Sequence, residues 1–414
     1  MLSPKSVSPN FANTSADVVH GRKPCEMNTR LTDDQKSFVE TAQRFARERL
    51  APRYQVRERE GRLEPDLVRE MGELGLIGLD LPEVYGGLGQ PSLTTGLVIE
   101  ALAYGDFNAT YIQLLASLNG QILARHASPE VAQEWIPRLV SGEIILALAL
   151  TEPRGGSDAG NLMLSARRDG DAYILKGEKS SISMADQADA AIVFARTGKP
   201  EDGPRGISAF LVPLDSKGIS RSRFDDLGSK SVGRGSIFFD DVVVPARYRL
   251  AEEGMGFVQV MQGFDYSRAL IGLQCVGAAQ ASLDESWAYV KERQAFKTPL
   301  AQYQGVSFPL AEGETMIVAL RQLCYHTLRL RDEGAPHTAE AAMCKWLGPK
   351  TAVDVIHQCL LTHGHYGYSL DLPHQQRLRD VMGLEIGDGT AQIMKLIIAR
   401  EKVGRIAVQY ASRT

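Results

Sequence analysis

Leu162-Met-Leu-Ser-Ala-Arg-Arg-Asp-Gly-Asp-Ala-Tyr-Ile-Leu175 is the stretch that decides the fold class. Two short runs, Leu162 to Ala166 and Ala172 to Leu175, flank Asp169-Gly170, a dipeptide suited to the left-handed turn of a β-hairpin. Runs of similar length follow at Ala191 to Ala195, Ile207 to Val212 and Ser236 to Phe239. No long amphipathic helix separates any two of them. This argues against a βαβ dinucleotide-binding domain and for a small barrel or sandwich. A G-x-G begins at Gly87, Gly233, Gly254 and Gly387, and none of the four extends to G-x-G-x-x-G.

On either side of this region the period is helical. From Leu31, the residues Phe38, Ala42, Phe45 and Leu50 share one face, and Pro52 is expected to end the run. Helices are predicted over Leu67 to Leu74, Leu93 to Ala103, Thr110 to His126 and Pro129 to Leu139. A Gly-rich connection, Leu81 to Gly89, interrupts them. After Pro245 the pattern predicts long helices over Gly256 to Arg293, Phe308 to Arg331, Thr338 to Leu361 and Thr390 to Tyr410, four in sequence as in an antiparallel bundle. The chain therefore reads as mainly α with a central β domain. The expected parts are a disordered tail at 1–29, an N-terminal α-helical domain at 30–147, a middle β domain at 148–250 and a C-terminal four-helix bundle at 251–414.

Composition narrows the function classes. Forty-six basic against fifty acidic residues leave a net charge of −4, which gives no electrostatic reason to expect nucleic acid or an anionic membrane surface as partner. Apolar stretches such as Ile144 to Leu150 are too short to span a bilayer. Five scattered cysteines with no C-x-x-C read as reduced thiols, and a cytoplasmic location is expected. His357, His363 and His365 match no zinc spacing, so no metal is expected.

Thr151-Glu-Pro-Arg-Gly-Gly-Ser-Asp158 resembles the T-E-P-x-A-G-S-D signature of the flavin-dependent acyl-CoA dehydrogenase family. Leu81 to Gly89 resembles that family's L-P-x-x-Y-G-G-L-G, and Gly177-Glu-Lys-Ser-Ser-Ile-Ser183 its G-x-K-x-W-I-T/S. Phe264-Asp-Tyr-Ser-Arg268, Arg293-Gln-Ala-Phe296 and Gly389-Thr-Ala-Gln-Ile393 follow in the family's order and spacing. The resemblance covers about residues 30 to 412. It implies the acyl-CoA dehydrogenase fold, FAD as cofactor and a CoA thioester oxidised across its α and β carbons. A homotetramer (a dimer of dimers) and an electron-transfer flavoprotein as oxidant are implied with it.

The resemblance also assigns residues. Leu150, Thr151, Gly156 and Ser157 become flavin contacts, Ser157 also touching substrate; without it they are a Gly-rich turn before a strand. Ser181 stands where the family usually has an aromatic residue beside the flavin, and Ser183 keeps the expected hydroxyl. Asp265 and Arg268 face the pantetheine and CoA, the bland alternative being a surface i,i+3 ion pair. Arg293 and Phe296 match a contact to the FAD pyrophosphate of a neighbouring subunit, with Lys297 in place of the family's glycine. Leu361 replaces the glutamine that meets the adenosine part of FAD, and His365 replaces a glycine. Thr390 and Gln392 complete the cofactor set, and Gly389 the substrate set.

The base is carried by Leu384-Glu-Ile-Gly-Asp-Gly-Thr-Ala-Gln-Ile393. Many family members read Y-E-G-T here, with Glu as base. In this chain the pair is Gly387-Asp388, and the family's alternative base position is Ser267, which leaves Asp388. The bland alternative is a helix cap for Asp388, a role Thr390 can fill as well. Burial would raise the Asp388 pKa and a helix N-terminus would lower it. A shorter carboxylate beside glycine opens room at the α-carbon. The I-G-D-G-T stretch, with Lys179-Ser-Ser-Ile-Ser183, resembles the cyclohexane-1-carboxyl-CoA dehydrogenase branch, which implies alicyclic carboxylate degradation. Three readings compete: a dehydrogenase of another branched or short-chain acyl-CoA or of a carrier-protein-bound acyl group, a nitroalkane-oxidase-like flavin oxidase, and a non-catalytic flavoprotein.

Overall fold

The computed structural model describes residues 31–408; the tail expected at 1–29 lies outside the described residues. Helix α1 (Asp33–Phe45) opens on a capping box in which the Thr32 hydroxyl accepts the Gln35 amide and the Gln35 side chain accepts the Thr32 amide. Pro52 does not end the helical run as expected. One wide turn over Ala46–Leu50 and a tight turn over Ala51–Arg53 carry the chain on into α2 (Tyr54–Glu60). The proline sits at the second position of the tight turn, where its missing N–H is no loss. Then come α3 (Pro65–Glu73), α4 (Ser92–Gly105), α5 (Thr110–His126) and α6 (Pro129–Val140), within two residues of their predicted bounds.

The β region contains β1 (Leu146–Ala149), β2 (Ser165–Asp169), β3 (Ala172–Ile182), β4 (Ala190–Arg196), β5 (Ile207–Pro213), β6 (Ile219–Arg223), β7 (Gly235–Pro245) and β8 (Arg249–Leu250). The predicted hairpin is β2–β3. Asp169 pairs with Ala172, so the turn residues are Gly170-Asp171, with Gly170 at φ +59°, one position later than expected. The order is β6-β7-β3-β2-β4-β5-β8, with β1 added parallel to β4. Only Ser165↔Arg196 joins β2 to β4, so two four-stranded halves hinge at a single pair. β4 is buried at every position, which explains its unbroken apolar sequence.

The C-terminal part holds α7 (Gly256–Glu292), α8 (Gln304–Asp332), α9 (Thr338–Thr362), the single turn α10 (His365–Tyr368), α11 (His374–Met382) and α12 (Ala391–Val403). α12 stops at Val403, short of the predicted Tyr410, with Gly404 at φ +74° as its end. α7 packs on α8 and α9 within the domain and on α4 and α5 of the N-terminal helices; α11 and α12 lie on α9. Among the described residues, no helix is long and apolar enough to cross a membrane.

The three parts meet at Asp380 on α11, which is 1% exposed. Its carboxylate accepts the Tyr54 hydroxyl from α2, the Asn108 side-chain amide (2.9 Å) from the entry to α5, and the Ser229 amide from the β region. Burial outweighs these donors and pushes Asp380 up to about 7. The folded chain therefore holds a proton there that the unfolded chain, with an ordinary Asp pKa of about 3.9, has released. The resulting stability is fully present below about pH 4 and is lost as pH rises through about 7. Urea midpoints should show this: between about pH 5 and about pH 7.5 the wild type should lose stability relative to Asp380→Asn. Parallel pH profiles for the two proteins would contradict it.

Candidate active site

The loop after β1 is held from beneath by a buried ion pair. Glu152, 6% exposed, accepts the Met163 amide at 2.7 Å, the Leu164 amide at 2.8 Å and the Lys179 ammonium at 2.8 Å. Lys179, from β3, also donates to Leu150 O at 2.9 Å and has no exposed surface. Its burial outweighs the attraction of Glu152 and lowers its pKa to about 8. With its foot fixed, the loop turns its remaining residues outward. Leu150 is buried, Thr151 half-buried, and Gly156 and Ser157 exposed. The amides of Gly156 and Ser157 have no protein partner among the described residues, so the loop offers free donors to a ligand's polar edge.

Beside this loop, the β3–β7 register breaks between Lys179 and Ile182. The bulge puts Ser181 at φ +59° and leaves its side chain exposed, while Ser183 is half-buried. Ser180 N donates to Thr151 O at 2.8 Å and locks bulge and loop together. Leu150, Thr151, Gly156, Ser157, Ser181 and Ser183 therefore belong to one rim.

At the start of α7, Arg268 and Asp265 form the expected i,i+3 pair at 2.9 Å, but not as a surface pair: Arg268 is 4% exposed and its Nε–H has no partner. Asp265 also accepts the Thr338 hydroxyl at 2.7 Å. Burial lowers the Arg268 pKa. Ser267 is buried, with its hydroxyl turned to Phe264 O at 3.5 Å.

Asp388 lies on the turn between α11 and α12, half-buried, at φ +53°. It does not cap α12; the Thr390 hydroxyl does so by accepting the Ile393 amide at 3.3 Å. Burial pushes the Asp388 pKa up, while the Lys345, Arg268 and Arg234 cations pull it down without prevailing. Tyr111 of α5 faces both Asp388 and Arg234 electrostatically. The two glycines flanking Asp388 differ. Gly389 has φ +99° and a Cβ there would stand 2.5 Å from Met394 Cε, so glycine is required. Gly387 has no such φ, and its Cβ would meet only Gly383 O at 3.4 Å. At Gly383 a Cβ would find only the tip of Arg234, at 3.9 Å.

Of the remaining assigned residues, Arg293, Phe296, Leu361 and His365 lie elsewhere. Arg293 is 25 residues beyond Arg268, about 37 Å along α7. It leads into a tiny hairpin, Gln294–Ala295 with Thr298–Pro299, whose turn residues Phe296 and Lys297 have φ +52° and +62°. The family's glycine at position 297 suits that turn better than lysine does. Leu361 and His365 are exposed at the far end of α9, and Gln392 is exposed on α12. Sequence reasoning missed Lys345, Arg234, Tyr111 and the Glu152–Lys179 pair. A lysine in an apolar helical stretch, Cys344-Lys345-Trp346-Leu347, was the one available signal for Lys345.

The sequence and fold also match known proteins. Family models described as the acyl-CoA dehydrogenase N-terminal, middle and C-terminal domains match residues 32–143, 147–242 and 254–403. The chain is 36% identical over 378 residues to the probable acyl-CoA dehydrogenase YngJ of Bacillus subtilis, covering 91% of this chain and 99% of that protein. It superposes on butyryl-CoA dehydrogenase from Megasphaera elsdenii with TM-score 0.88 and 32% identity, covering 91% of this chain and 100% of that one. On a glutaryl-CoA dehydrogenase from Mycobacterium smegmatis, solved in complex with FADH2, the TM-score is 0.85 at 28% identity, over 90% and 95% of the two chains.

The ion pair under the loop is open to a direct check. Glu152→Ala leaves a buried ammonium and two amides without their acceptor and should cost about 3–5 kcal/mol in urea unfolding. With Lys179→Met measured alone and in combination, the double variant should lose clearly less than the two single losses summed; a double loss equal to that sum would show that the pair is not coupled.

Proposed function

The chain belongs to the acyl-CoA dehydrogenase family, and on that footing we propose that it oxidises cyclohexane-1-carboxyl-CoA to cyclohex-1-ene-1-carboxyl-CoA, with Asp388 as base. As a member of that family it is an FAD-dependent oxidoreductase. The observation that carries the substrate reading is the free space beside Asp388. Gly387, next to Asp388, is not required by the backbone, so its smallness leaves room for a bulky, α-branched acyl group. A shorter carboxylate than glutamate then meets an α-carbon that the ring brings closer.

The residues present fit FAD. Thr151, Ser157, Ser181 and Ser183 offer hydroxyls, Gly156 and Ser157 offer free amides, and Leu150 closes the rim from below. Thr390 and Gln392 extend the set from the start of α12. Arg293, Phe296, Leu361 and His365 are too far along α7 and α9 to share this rim. We assign them to FAD held by a neighbouring copy, within a homotetramer built as a dimer of dimers. When bound, FAD supplies the acceptor for the hydride that leaves the β-carbon. Asp388 takes the α-proton onto a carboxylate oxygen. Arg268, with its unpartnered Nε–H beside Asp265, and Ser157 and Gly389 bind the thioester's CoA and acyl portions. An electron-transfer flavoprotein is the proposed oxidant. A reducing cytoplasm suits the four free buried cysteines among the described residues.

A short straight-chain thioester is the second reading, favoured by the likeness to the Megasphaera butyryl-CoA dehydrogenase. Anaerobic titration of the yellow protein with cyclohexane-1-carboxyl-CoA and with butyryl-CoA separates the two. Bleaching by the cyclic thioester, lost in Asp388→Asn, is expected; bleaching by butyryl-CoA alone would overturn the substrate. Gly387→Tyr should refill the space and shift preference toward butyryl-CoA by roughly tenfold or more. The bleaching rate should rise with pH along a limb set by Asp388 and lying above the ordinary aspartate range.

A further inference from the structure

Lys345 lies in the middle of α9 with no exposed surface, and it serves another segment of the chain. Its ammonium donates to Leu384 O at 2.6 Å and to Gly389 O at 2.9 Å. Those two carbonyls bracket the turn that carries Asp388. The turn needs holding: Asp388 sits at φ +53°, a left-handed conformation that disfavours a non-glycine residue. Its internal ties are only the Ile386 and Gly387 amides, both on Gly383 O at 3.3 and 3.0 Å.

Charge singles out the same residue. Asp388 is faced by Arg268 from α7, by Arg234 from the entry to β7, by Lys345 from α9 and by Tyr111 from α5. Arg268 is paired with Asp265 and Arg234 with Asp226, each at 2.9 Å. Lys345 meets two carbonyls and no carboxylate at hydrogen-bond distance, so its charge is the least compensated of the three. Glu385, Cys275 and Arg268 are its other electrostatic neighbours. Burial is the largest influence on it and lowers its pKa to about 8.

We propose that Lys345 is the positioning residue of the base: one buried ammonium ties both ends of the turn, fixes Asp388 in its left-handed conformation and sets a positive charge behind its carboxylate. This rests on Asp388 being the base. Removing the cation takes away a favourable partner of the ionised carboxylate, so the proton stays on Asp388 to higher pH. A lysine that merely satisfied two carbonyls would scale the rate equally at every pH.

The test is the rate of anaerobic flavin reduction from about pH 6 to about pH 9.5. It uses FAD-loaded wild type, Lys345→Met, Lys345→Gln and Lys345→Arg, with whichever of cyclohexane-1-carboxyl-CoA and butyryl-CoA bleaches the wild type. Flavin content and thermal midpoint are measured alongside. The methionine and glutamine variants should move the acid limb to higher pH, with roughly a tenfold rate deficit at the acid end that largely recovers at the alkaline end. The arginine variant should bring the limb back toward wild type. Glutamine can still donate to a carbonyl, so it keeps the test open if methionine weakens the fold. An unmoved acid limb in the two neutral variants would overturn the proposal. Asp388→Asn separates the two ideas. If it retains the rate, the base assignment fails. If it abolishes the rate while the Lys345 variants keep the wild-type profile, only the role of Lys345 fails.

Discussion

The Asp380 carboxylate takes donors from α2, from the entry to α5 and from the β region, and the helix that carries it runs within six residues of Asp388. Any shift between the three parts of the chain would pull on α11 and so on the turn that follows it. The next residue back, Arg379, strengthens the joint by pairing with Glu58 of α2 and donating to Leu227 O at 2.9 Å. The turn is thus hung between fixed points: α11 on one side, the Thr390 cap of α12 on the other, and Lys345 beneath. This is how a strained residue can be held at a functional position, with the surrounding structure supplying what its own backbone conformation costs.

Desolvation acts on every charged group of the site, and it acts with opposite sign on acids and bases. It raises Asp388 and lowers Arg268 and Lys345. The cations limit how far the acid rises, and the acid limits how far the cations fall. A carboxylate tuned upward in this way binds a proton more strongly than an exposed aspartate does, which suits removal of a weakly acidic α-proton. The proposed preference for a bulky acyl group rests on something simpler, Gly387 beside Asp388, where the backbone does not demand a glycine.

Much of the fold was legible in the sequence because its elements are long or strongly patterned. Thr110–His126 and the start of α7 at Gly256 fall at their predicted positions. The misses have physical causes. β1 is four residues of unbroken apolar sequence, Leu146–Ala149, which has no period to detect. β6, Ile219–Arg223, is almost wholly exposed and polar and is a strand only because β7 lies beside it. Within the candidate site, the T-E-P loop and Asp388 were legible as candidates because short segments carry them. The bulge at Ser181, the tether from Lys345 and the Glu152–Lys179 pair arise from residues 27 to 44 positions apart, or from a register break, and the lysine set in an apolar helical stretch is the one local trace among them.

Asp388 is proposed as the group that removes the α-proton, and hydrogen exchange at that carbon tests it without relying on flavin colour. The FAD-loaded wild type and Asp388→Asn, matched for flavin content, would be incubated anaerobically in D2O with cyclohexane-1-carboxyl-CoA and the recovered thioester weighed by mass spectrometry. Deuterium is expected at the α-carbon with the wild type, and with the variant a rate lower by roughly 10²–10⁴-fold. Equal exchange by the two proteins would contradict it.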